Sequence, residues 1–483
     1  MSSDEFDVLQ RRLERLGSGA LSDLRAGMIV VLPSLTFPVE ELRKIIGIGR
    51  YEERLLCLLL LLAEPGLEMV YVSSLDIDPA VIDYYLSFVD DPAGARARLT
   101  LISLADGDPR ALSEKLLDRP DKLAALRAAI ADRDAYLLPF NVTAAERAVA
   151  TEIGAPLYGP RPGLAYTGSK SGSRHIAREA GVAILPGAED LHSIAAVGTA
   201  LRAVQAESPD AVAAVIKLNY GFSGQGNAVV EFAGLGTSVV DSPVTFCASE
   251  ESWASFGPKI ERDGAIVEEM LRSPGMVSPS VQMRIAPDGS YEILSTHDQI
   301  LGGPDDQVYL GCRFPARAAY RGEISEAGSR VGKILAAKGV VGSFGMDFLV
   351  VERGGRHDIF LSEINLRLGG TSHPFYLARF ATGGTYDQAS GELVADGVAR
   401  SYVATDNLKS EAYRGLTPER LIRELAARDL AFDRATGTGV ALHMLGAVAE
   451  HGKLGATCIA RSPEAADDAY ADLVATLDDL AAG

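Results

Sequence analysis

The sequence predicts an α/β protein that begins with an open α/β sheet and continues as a second, differently patterned part. Two observations lead to this prediction. Short apolar runs alternate with helical patterns over residues 1–160, as in sheets whose strands are connected by helices. The chain has 483 residues, too many for one ordinary core, which predicts two or three domains.

The first elements are predicted from apolar runs and from the glycine and proline residues that interrupt them. Residues 28–35 form an apolar run that ends near a proline and suits a buried parallel strand. Residues 39–63 have a helical pattern, and the apolar run Leu55 to Ala63 is too short for a bilayer, which needs about 20 residues; it predicts a buried helix. Further strands are predicted at 68–74, 99–104 and 135–139, and a helix near 79–88. The Gly/Pro cluster at 158–162 places a domain boundary near residue 160.

The pattern changes after this boundary. Residues 168–174 lead into a helix that ends at Gly181, since glycine is a common C-cap. A strand at 212–218, a glycine-rich turn at 221–227 and a strand at 228–232 predict a hairpin-like unit. The remaining strands are predicted at 265–269, 281–286, 291–296, 345–351 and 358–364. The tail from about 415 is expected to mix helices with one strand near 439–445.

Composition restricts the function. The formal net charge of -19 argues against a nucleic-acid partner, because phosphate contacts need a basic surface. The acidic surface is interpreted as solubility, and a basic substrate pocket inside it stays open. The four cysteines are scattered and predict neither a zinc site nor a disulfide framework, which fits a reducing cytoplasm. The polar N-terminus lacks the apolar stretch of a signal peptide, and no membrane partner is expected.

A candidate phosphate-binding loop begins after Lys217, the last charged residue of a predicted strand. Glycines in a loop let backbone N–H groups approach an anion closely, and a lysine adds a point charge. The loop residues concerned are Ser223, Gly224, Gln225, Gly226 and Asn227. The lysine precedes the glycines and no G-K-[ST] follows, so this is not a P-loop. A plain β-hairpin explains the segment equally well.

An oxygen-rich face is the most specific signal in the chain. Asp347 begins an apolar strand, where an isolated carboxylate is costly to bury. Glu363, Asn365 and Arg367 alternate along another strand, so all three side chains point to one face. Carboxylate and amide oxygens suit Mg²⁺, and an arginine beside them can hold a phosphate or carboxylate. A structural Glu–Arg pair on a sheet face is the alternative.

Two other kinds of segment are candidates for nucleotide or substrate contacts. The apolar strand that runs into Glu268, Glu269 and Met270 suits an adenine- and ribose-binding edge, although an ordinary strand ending in solvated acids fits as well. His297 is a candidate for positioning the acid substrate or accepting a proton from the amine. For His297 and for His373, a satisfied structural histidine is the alternative.

Taken in order, these segments resemble the ATP-grasp superfamily over roughly residues 161 to 380. The resemblance implies a two-lobed fold whose α+β lobes clamp ATP. It implies nucleotide contacts by Lys170, Lys217, the loop from Ser223 to Asn227, and the hinge Glu268, Glu269 and Met270. It implies metal ligation by Asp347, Glu363 and Asn365. Many members place a ribose-binding acid after the hinge, but residues 277–282 contain none, so either Glu269 takes that role or the ribose is held differently.

Other segments resemble pheganomycin-type peptide ligases more narrowly. They are 33–35, 51–56, 84–86, 168–174, 297–299 and 311–316. The resemblance implies a pre-ATP-grasp domain over 1–160 and an ATP-grasp domain over 161–483. The second would comprise a nucleotide lobe (about 212–272), a metal-binding core (about 273–385) and a C-terminal cap (about 386–483).

The resemblance implies an ATP-dependent carboxylate–amine ligase that acts through an acyl phosphate. Its expected substrates are amino acids, modified amino acids or peptides in natural-product biosynthesis, with ATP and one or two Mg²⁺. Arg367 and Arg284 are candidates for stabilising the oxyanion of the tetrahedral intermediate. An ATP-grasp enzyme with a thiol acceptor or with phosphorylation only, and a silent nucleotide-binding scaffold, stay open. The long apolar N-terminal helices suggest a homodimer.

Overall fold

The structure is a computed structural model that describes residues 3–16, 27–221, 226–273, 275–303 and 308–482. Within these residues the strands form three sheets, of four, five and ten strands. The predicted fold class is confirmed, because an open parallel α/β sheet comes first and two antiparallel sheets with helices packed on them follow.

The N-terminal sheet contains four parallel strands, β1 (Met28–Leu32), β2 (Glu68–Ser73), β3 (Leu99–Ser103) and β4 (Ala135–Pro139). Their order is β3-β2-β1-β4. Strands β1 and β4 are buried along their whole length. This agrees with their unbroken apolar sequences, which are typical of parallel strands covered on both faces.

Helices connect and cover these strands. They are α1 (Ser3–Gln10), α2 (Val39–Leu42), α3 (Pro79–Leu86), α4 (Pro92–Ala97), α5 (Leu112–Leu117), α6 (Pro120–Ile130) and α7 (Ala144–Ile153), with a short 3₁₀ helix at Leu13–Leu16. Local sequence sets their ends, as α7 illustrates. Thr143 and Glu146 form a capping box at its start, and Gly154 ends it with a φ of 74°.

The apolar stretch after α2 forms a 3₁₀ helix, Ile48–Ala63, whose residues 52–62 are all buried. This confirms the predicted buried helix. It packs against Ser372–Thr382 from the distant C-terminal part, and the apolar core around it includes Leu58, Tyr402 and Leu442. Because its leucines are buried within one chain, they give no argument for a homodimer.

The five-stranded antiparallel sheet has the order β5-β9-β6-β7-β8. Its strands are β5 (Gly187–Leu191), β6 (Ala213–Leu218), β7 (Asn227–Glu231), β8 (Val244–Phe246) and β9 (Ala265–Glu269). The predicted hairpin is present as β6 and β7, with Lys217 opposite Asn227. Two helices, α9 (Ile194–Glu207) and α10 (Trp253–Asp263), bury Leu201 and Phe256 against the sheet.

The ten-stranded sheet is antiparallel throughout. Its main path runs β14-β13-β10-β11-β12-β17-β16-β15, and β19 pairs with both β17 and β18. The strands are β10 (Pro279–Ile285), β11 (Tyr291–Gly302), β12 (Val308–Phe314), β13 (Gly342–Arg353), β14 (Arg356–Asn365), β15 (Thr385–Asp387), β16 (Glu392–Ala395), β17 (Val398–Lys409), β18 (Gly439–His443) and β19 (Lys453–Ala460).

The helices of this part are α8 (Lys170–Glu179), α11 (Ala318–Ala337), α12 (Ser372–Thr382), α13 (Pro418–Ala427), α14 (Val448–His451) and α15 (Pro463–Ala482). Short 3₁₀ helices lie at Pro162–Gly168, Phe232–Gly234, Glu411–Tyr413 and Leu445–Ala447. Helices α8 and α11 share an apolar core with β10 and β13, including Ile176, Val331 and Met346. None of the described helices combines the length and apolar character needed to cross a membrane.

The prediction of one strand in the tail was wrong. The described part of the tail contains β18 and also β19, which is buried at every position between β17 and β18. Its sequence is rich in small residues and has no polar alternation, because neither face meets solvent. Strands β12 and β17 also escaped prediction. Several of their side chains line a polar cavity, so the apolar periodicity that marks a strand is interrupted.

Candidate functional site

A cavity of about 1810 Å³ lies between the five-stranded sheet, the ten-stranded sheet and the 3₁₀ helix Ile48–Ala63. Each of these three units contributes charged side chains to its wall. Lys217 comes from β6, Glu363 from β14 and Arg54 from the 3₁₀ helix. Most of the polar residues selected from the sequence therefore meet in one place.

The acidic group forms where β13 and β14 pair. Asp347 lies opposite Glu363 in the ladder, and Asn365 follows on the same face of β14. The Asn365 amide Nδ2 donates to Asp347 Oδ2 at 3.0 Å and to Glu363 Oε1 at 2.8 Å. Gln299 Nε2 on β11 donates to Asp347 Oδ1 at 2.7 Å. The Asn365 amide thus bridges two half-buried carboxylates.

The pKa values of the two carboxylates are shifted in opposite directions. Burial raises the pKa of Asp347, and the adjacent Glu363 carboxylate raises it further. Burial also opposes ionisation of Glu363, but Lys170 and then Lys217 outweigh it and lower the pKa of Glu363. Two like charges this close favour a cation between them. The oxygen-rich donor set fits a hard divalent ion such as Mg²⁺, which would replace N–H groups that now satisfy the carboxylates.

The two lysines lie against carboxylates at the same end of the cavity. Ser169 caps helix α8, and Lys170 in its first turn forms an ion pair with Glu363 and donates to the Gly221 carbonyl oxygen at 3.3 Å. Lys217 Nζ lies 2.6 Å from Glu268 Oε1 and 3.2 Å from Ser362 Oγ. Burial opposes the charge on Lys217, but Glu268 and Glu363 raise its pKa overall.

The structure separates the two acids of the predicted hinge. Glu268 is buried between Lys217 and Arg174, whose Nη1 lies 3.3 Å from Glu268 Oε2. Glu269 lines the cavity, and its Oε2 accepts a hydrogen bond from Ser208 at 2.8 Å. Beside them an apolar slot suits a flat aromatic base. It is lined by Leu185, Val215, Met270, Val277 and Leu349.

The glycine-rich loop is described only at its ends. Ser223, Gly224 and Gln225 lie outside the described residues. The Gly226 carbonyl oxygen accepts a hydrogen bond from Leu218 N at 2.9 Å, and Asn227 lines the cavity. A Cβ on Gly221 would lie 3.1 Å from the Gly226 Cα, so the two ends of the loop approach too closely for larger residues.

Arg367 lies half-buried on the cavity wall beyond the acidic group. Its guanidinium lies 5.7 Å from the Phe37 ring centroid, and Nη1 donates to the Leu368 carbonyl oxygen at 3.4 Å. Within the described ranges it has no carboxylate at ion-pair distance. Its guanidinium therefore makes no direct ion pair with a described residue, although Glu363 and Asp347 lie close enough to favour its charge.

The structure does not bring Arg284 and His297 to the cavity wall. Arg284 on β10 pairs with Glu292 on β11, away from the acidic group. His297 Nε2 lies 2.6 Å from the Tyr402 hydroxyl oxygen, and its ring packs on Phe314. Burial lowers the pKa of His297 to about 3, so the ring is neutral at pH 7. The strand pattern gives the face that each residue occupies, but it does not tell how far along the strand the cavity extends.

A second group of polar residues was missed by the sequence reasoning. Arg54, Asp406 and Lys453 line the cavity and come from three distant segments of the chain. His373 and His443 lie behind Asp406, 3.0 and 3.3 Å from its Oδ1. The one available signal was Arg54, because the apolar helix that contains it carries charges that must be buried.

Two family models match parts of the chain. The model described as IQCH-like, ATP-grasp matches residues 243–389, and the PGM1 C-terminal domain model matches residues 420–473. Among curated proteins, L-propargylglycine–L-glutamate ligase from Streptantibioticus cattleyicolor is 36% identical over 428 residues, which cover 86% of each chain.

Solved structures share the fold at low identity. An ADP complex of N5-carboxyaminoimidazole ribonucleotide synthetase aligns with a TM-score of 0.54 and 13% identity, covering 94% of this chain and 98% of that one. Biotin carboxylase from Campylobacter jejuni, a beta-gamma-ATP complex, aligns with a TM-score of 0.56 and 16% identity, covering 92% and 89%. At this identity the likeness concerns the fold alone.

Proposed function

The chain belongs to the pheganomycin-type family of ATP-grasp ligases, and we propose that it activates a carboxylate of one amino acid or peptide as an acyl phosphate and joins it to the amine of another. It is thus an ATP-dependent carboxylate–amine ligase. The observation that most supports the proposed mechanism is the convergence of Lys170, Lys217, Asp347 and Glu363 on one cavity.

Lys170 and Lys217 are proposed to hold the phosphates of ATP. Each now forms an ion pair with a carboxylate, Glu363 and Glu268 respectively, so each is held in position before the nucleotide binds. The apolar slot beside Met270 takes the adenine, and Glu269, the half-buried acid of the hinge, takes the ribose hydroxyls. Gly226 and Asn227, with Ser223 to Gln225, close over the phosphates and exclude water that would hydrolyse the acyl phosphate.

Asp347, Glu363 and Asn365 are proposed to hold one or two Mg²⁺. Bound Mg²⁺ would supply the charge that neutralises the polyphosphate and polarises the transferred group. Asn365 would offer its amide oxygen to the ion after a rotation of the amide, because its Nδ2 now contacts both carboxylates. Gln299, which donates to Asp347, keeps that carboxylate oriented.

Arg367 is proposed to hold the carboxylate that reacts. It lies on the cavity wall next to the acidic group, and none of the described carboxylates lies at ion-pair distance from it. A guanidinium binds a carboxylate through two parallel hydrogen bonds, which orients one oxygen toward the γ-phosphate. The same group then stabilises the oxyanion when the amine attacks. Arg284 and His297 are not given a role, because neither reaches the cavity.

Amino acids are the proposed substrates on both sides of the reaction. The relative in Streptantibioticus cattleyicolor is named for two amino acids, L-propargylglycine and L-glutamate. We propose the same substrate class here, in natural-product biosynthesis and in the cytoplasm, where free cysteines such as Cys57 persist. We also propose the division at residue 160, with the nucleotide lobe, metal-binding core and cap bounded as the sequence suggests.

The proposal is tested by ADP release from purified protein with ATP, Mg²⁺ and pairs of acids and amines, with products identified by mass. L-Glutamate with L-propargylglycine is the first pair. ADP release that requires both members and yields an amide supports the ligase. Release without the amine would instead indicate phosphorylation only, and release that requires a thiol would indicate a different acceptor. Binding of ATP with no release across the panel would indicate a silent scaffold.

A further inference from the structure

Two buried cations lie around one tyrosine on the cavity wall. Arg54 and Lys453 are 6% and 5% exposed. The Arg54 guanidinium lies 4.9 Å from the Tyr51 ring centroid and 4.7 Å from that of Phe140. The Lys453 ammonium lies 4.8 Å from the Tyr51 centroid and donates a hydrogen bond to the Tyr51 hydroxyl. Stacking on rings fixes the direction in which both cations point.

The carboxylates near Arg54 and Lys453 carry too little negative charge to balance these two cations. Arg54 Nη1 lies 3.4 Å from Asp406 Oδ2, and this contact is long for an ion pair. Lys453 has no carboxylate at ion-pair distance in the part of the chain that the structure describes. The other oxygen of Asp406 faces His373 and His443. One carboxylate therefore serves two cations and two imidazoles.

A buried positive charge without a partner is costly, and a protein retains one where a ligand supplies the missing charge. Lys453 shows this cost, because burial lowers its pKa to about 8; Asp406 opposes the shift, while Lys409 and Arg54 add to it. Neither Arg54 nor Lys453 contacts Lys170, Lys217 or the acidic group in the described residues. The excess positive charge of Arg54 and Lys453 is thus separate from Lys170 and Lys217, the proposed phosphate-binding residues.

A metal ion is a weaker occupant of the same neighbourhood. His373, Asp406 and His443 are all buried, their ligand atoms lie within 4.8 Å of one another, and such groups bind zinc. However, a dication there would add two positive charges next to Arg54 and Lys453, which are already in excess. An anion in the cavity reduces the surplus, whereas a metal ion increases it.

We propose that Arg54, Lys453 and Tyr51 form a subsite for the substrate carboxylate that the ligation does not consume. The inference rests on the proposed function. Amide formation between two amino acids consumes one carboxylate and leaves at least one intact. The intact group belongs either to the amine-bearing acceptor or to a donor that carries a second carboxylate. Lys453 and Arg54 hold it while Arg367 holds the carboxylate that reacts.

The experiment compares acids with their amides in the wild type and in Lys453→Met. The probes are L-propargylglycine and L-propargylglycinamide, and L-glutamate with its α-amide and γ-amide. For one substrate, amidation of the unconsumed carboxylate is expected to raise KM about tenfold or more in the wild type. Lys453→Met raises the KM of the acid similarly but changes the KM of the amide by less than about twofold. The affected substrate identifies the source of the carboxylate.

Lys409→Met is the matched control, because Lys409 lines the same cavity but is exposed. It is expected to change KM by less than about twofold, since exposed charges act weakly. Equal effects of the two lysine variants, or unchanged discrimination between acid and amide in Lys453→Met, would overturn the subsite. If Lys453→Met does not fold, Tyr51→Phe, which removes the hydroxyl that holds Lys453, is expected to raise the same KM about threefold.

A failure of the proposed ligase is distinguishable from a failure of the subsite. If the wild type releases no ADP with any pair, binding of the same acids and amides is followed by the shift in melting temperature. The subsite predicts a stabilising shift with at least one free acid that is lost in its amide and in Lys453→Met. No difference between acids and amides would overturn it.

Discussion

At one end of the cavity Lys170 and Lys217 each lie against a carboxylate. At the other end Arg54 has one long contact with Asp406, and Lys453 has no carboxylate at ion-pair distance among the described residues. At the first end a ligand must replace charges that are already balanced, so it must bring both signs, as a nucleotide with a metal ion does. At the second end, at Arg54 and Lys453, the ligand needs to supply only negative charge. The difference separates a site for chemistry from a site for recognition.

The largest loss of activity is expected from Glu363→Ala, at the end of the cavity where the lysines lie against carboxylates. Removal of this carboxylate takes away a proposed metal ligand and leaves Lys170 without its partner. We expect ADP release to fall at least about 100-fold, because even residues that only support metal ligands contribute about 10- to 100-fold. The measurement is kcat with saturating substrates, and circular dichroism checks the fold. Glu352→Ala, an exposed acid on β13, is the control. Near-normal turnover in Glu363→Ala would remove Glu363 from the proposed metal site.

Lys217→Met tests whether the balanced end binds phosphate. We expect KM for ATP to rise about 10- to 100-fold, since a hydrogen bond to a charged group contributes about 1.5–3 kcal/mol. KM for the amino acids should change far less. Lys333→Met, on the exposed surface of α11, is the control. A rise in the amino-acid KM with an unchanged KM for ATP would contradict this role, because Lys217 would then bind the amino acid and not the nucleotide.

The unbalanced end should respond to pH. Lys453 has a pKa lowered to about 8, first by burial, so its charge is largely present at pH 7 and largely lost at pH 9. If the ammonium binds the unconsumed carboxylate, KM for that substrate should rise about tenfold between these pH values. Asp406, with its lowered pKa, and Tyr51, with its raised pKa, keep their charge states over this range. Arg54, Lys409, His373 and His443 are the other charged or titratable groups described around Lys453 and Asp406.

The pH dependence is measured as KM in the wild type and in Lys453→Met. The variant should show a KM that is high at pH 7 and changes little up to pH 9. A tenfold rise that persists in Lys453→Met would assign the titration to another group.

The smallest effect is expected from His297→Phe, outside both ends. The substitution loses the contact of His297 with the Tyr402 hydroxyl, which should lower stability by about 1 kcal/mol. Because the ring does not reach the cavity wall, kcat and KM should stay within about threefold. The check is urea denaturation together with ADP release. A large loss of kcat without a loss of stability would show that His297 takes part in the reaction.

The sequence predicted what local periodicity controls. Alternation along β14 placed Glu363 and Asn365 on one face, and the apolar runs located all four strands of the first sheet. It could not predict Arg54, Asp406 and Lys453 as a group. Arg54 lies 352 positions from Asp406, and Asp406 and Lys453 belong to two different strands. No spacing rule connects side chains that meet only through tertiary packing.

Nor does alternation say how far along a strand the cavity extends. Arg284 shares a face of β10 with Gln282, and His297 shares a face of β11 with Gln299. The two glutamines line the cavity, whereas Arg284 and His297 lie farther along their strands.

The central claim is that a carboxylate is activated by ATP in this cavity, and oxygen transfer tests it most directly. A donor acid labelled with ¹⁸O in its reacting carboxylate is incubated with ATP, Mg²⁺ and the amine, and the released phosphate is analysed by mass. In an acyl phosphate one carboxylate oxygen bonds to phosphorus and leaves with the phosphate when the amine attacks. The account predicts one ¹⁸O atom per phosphate, alongside one amide and one ADP. Unlabelled phosphate released together with the amide would contradict it.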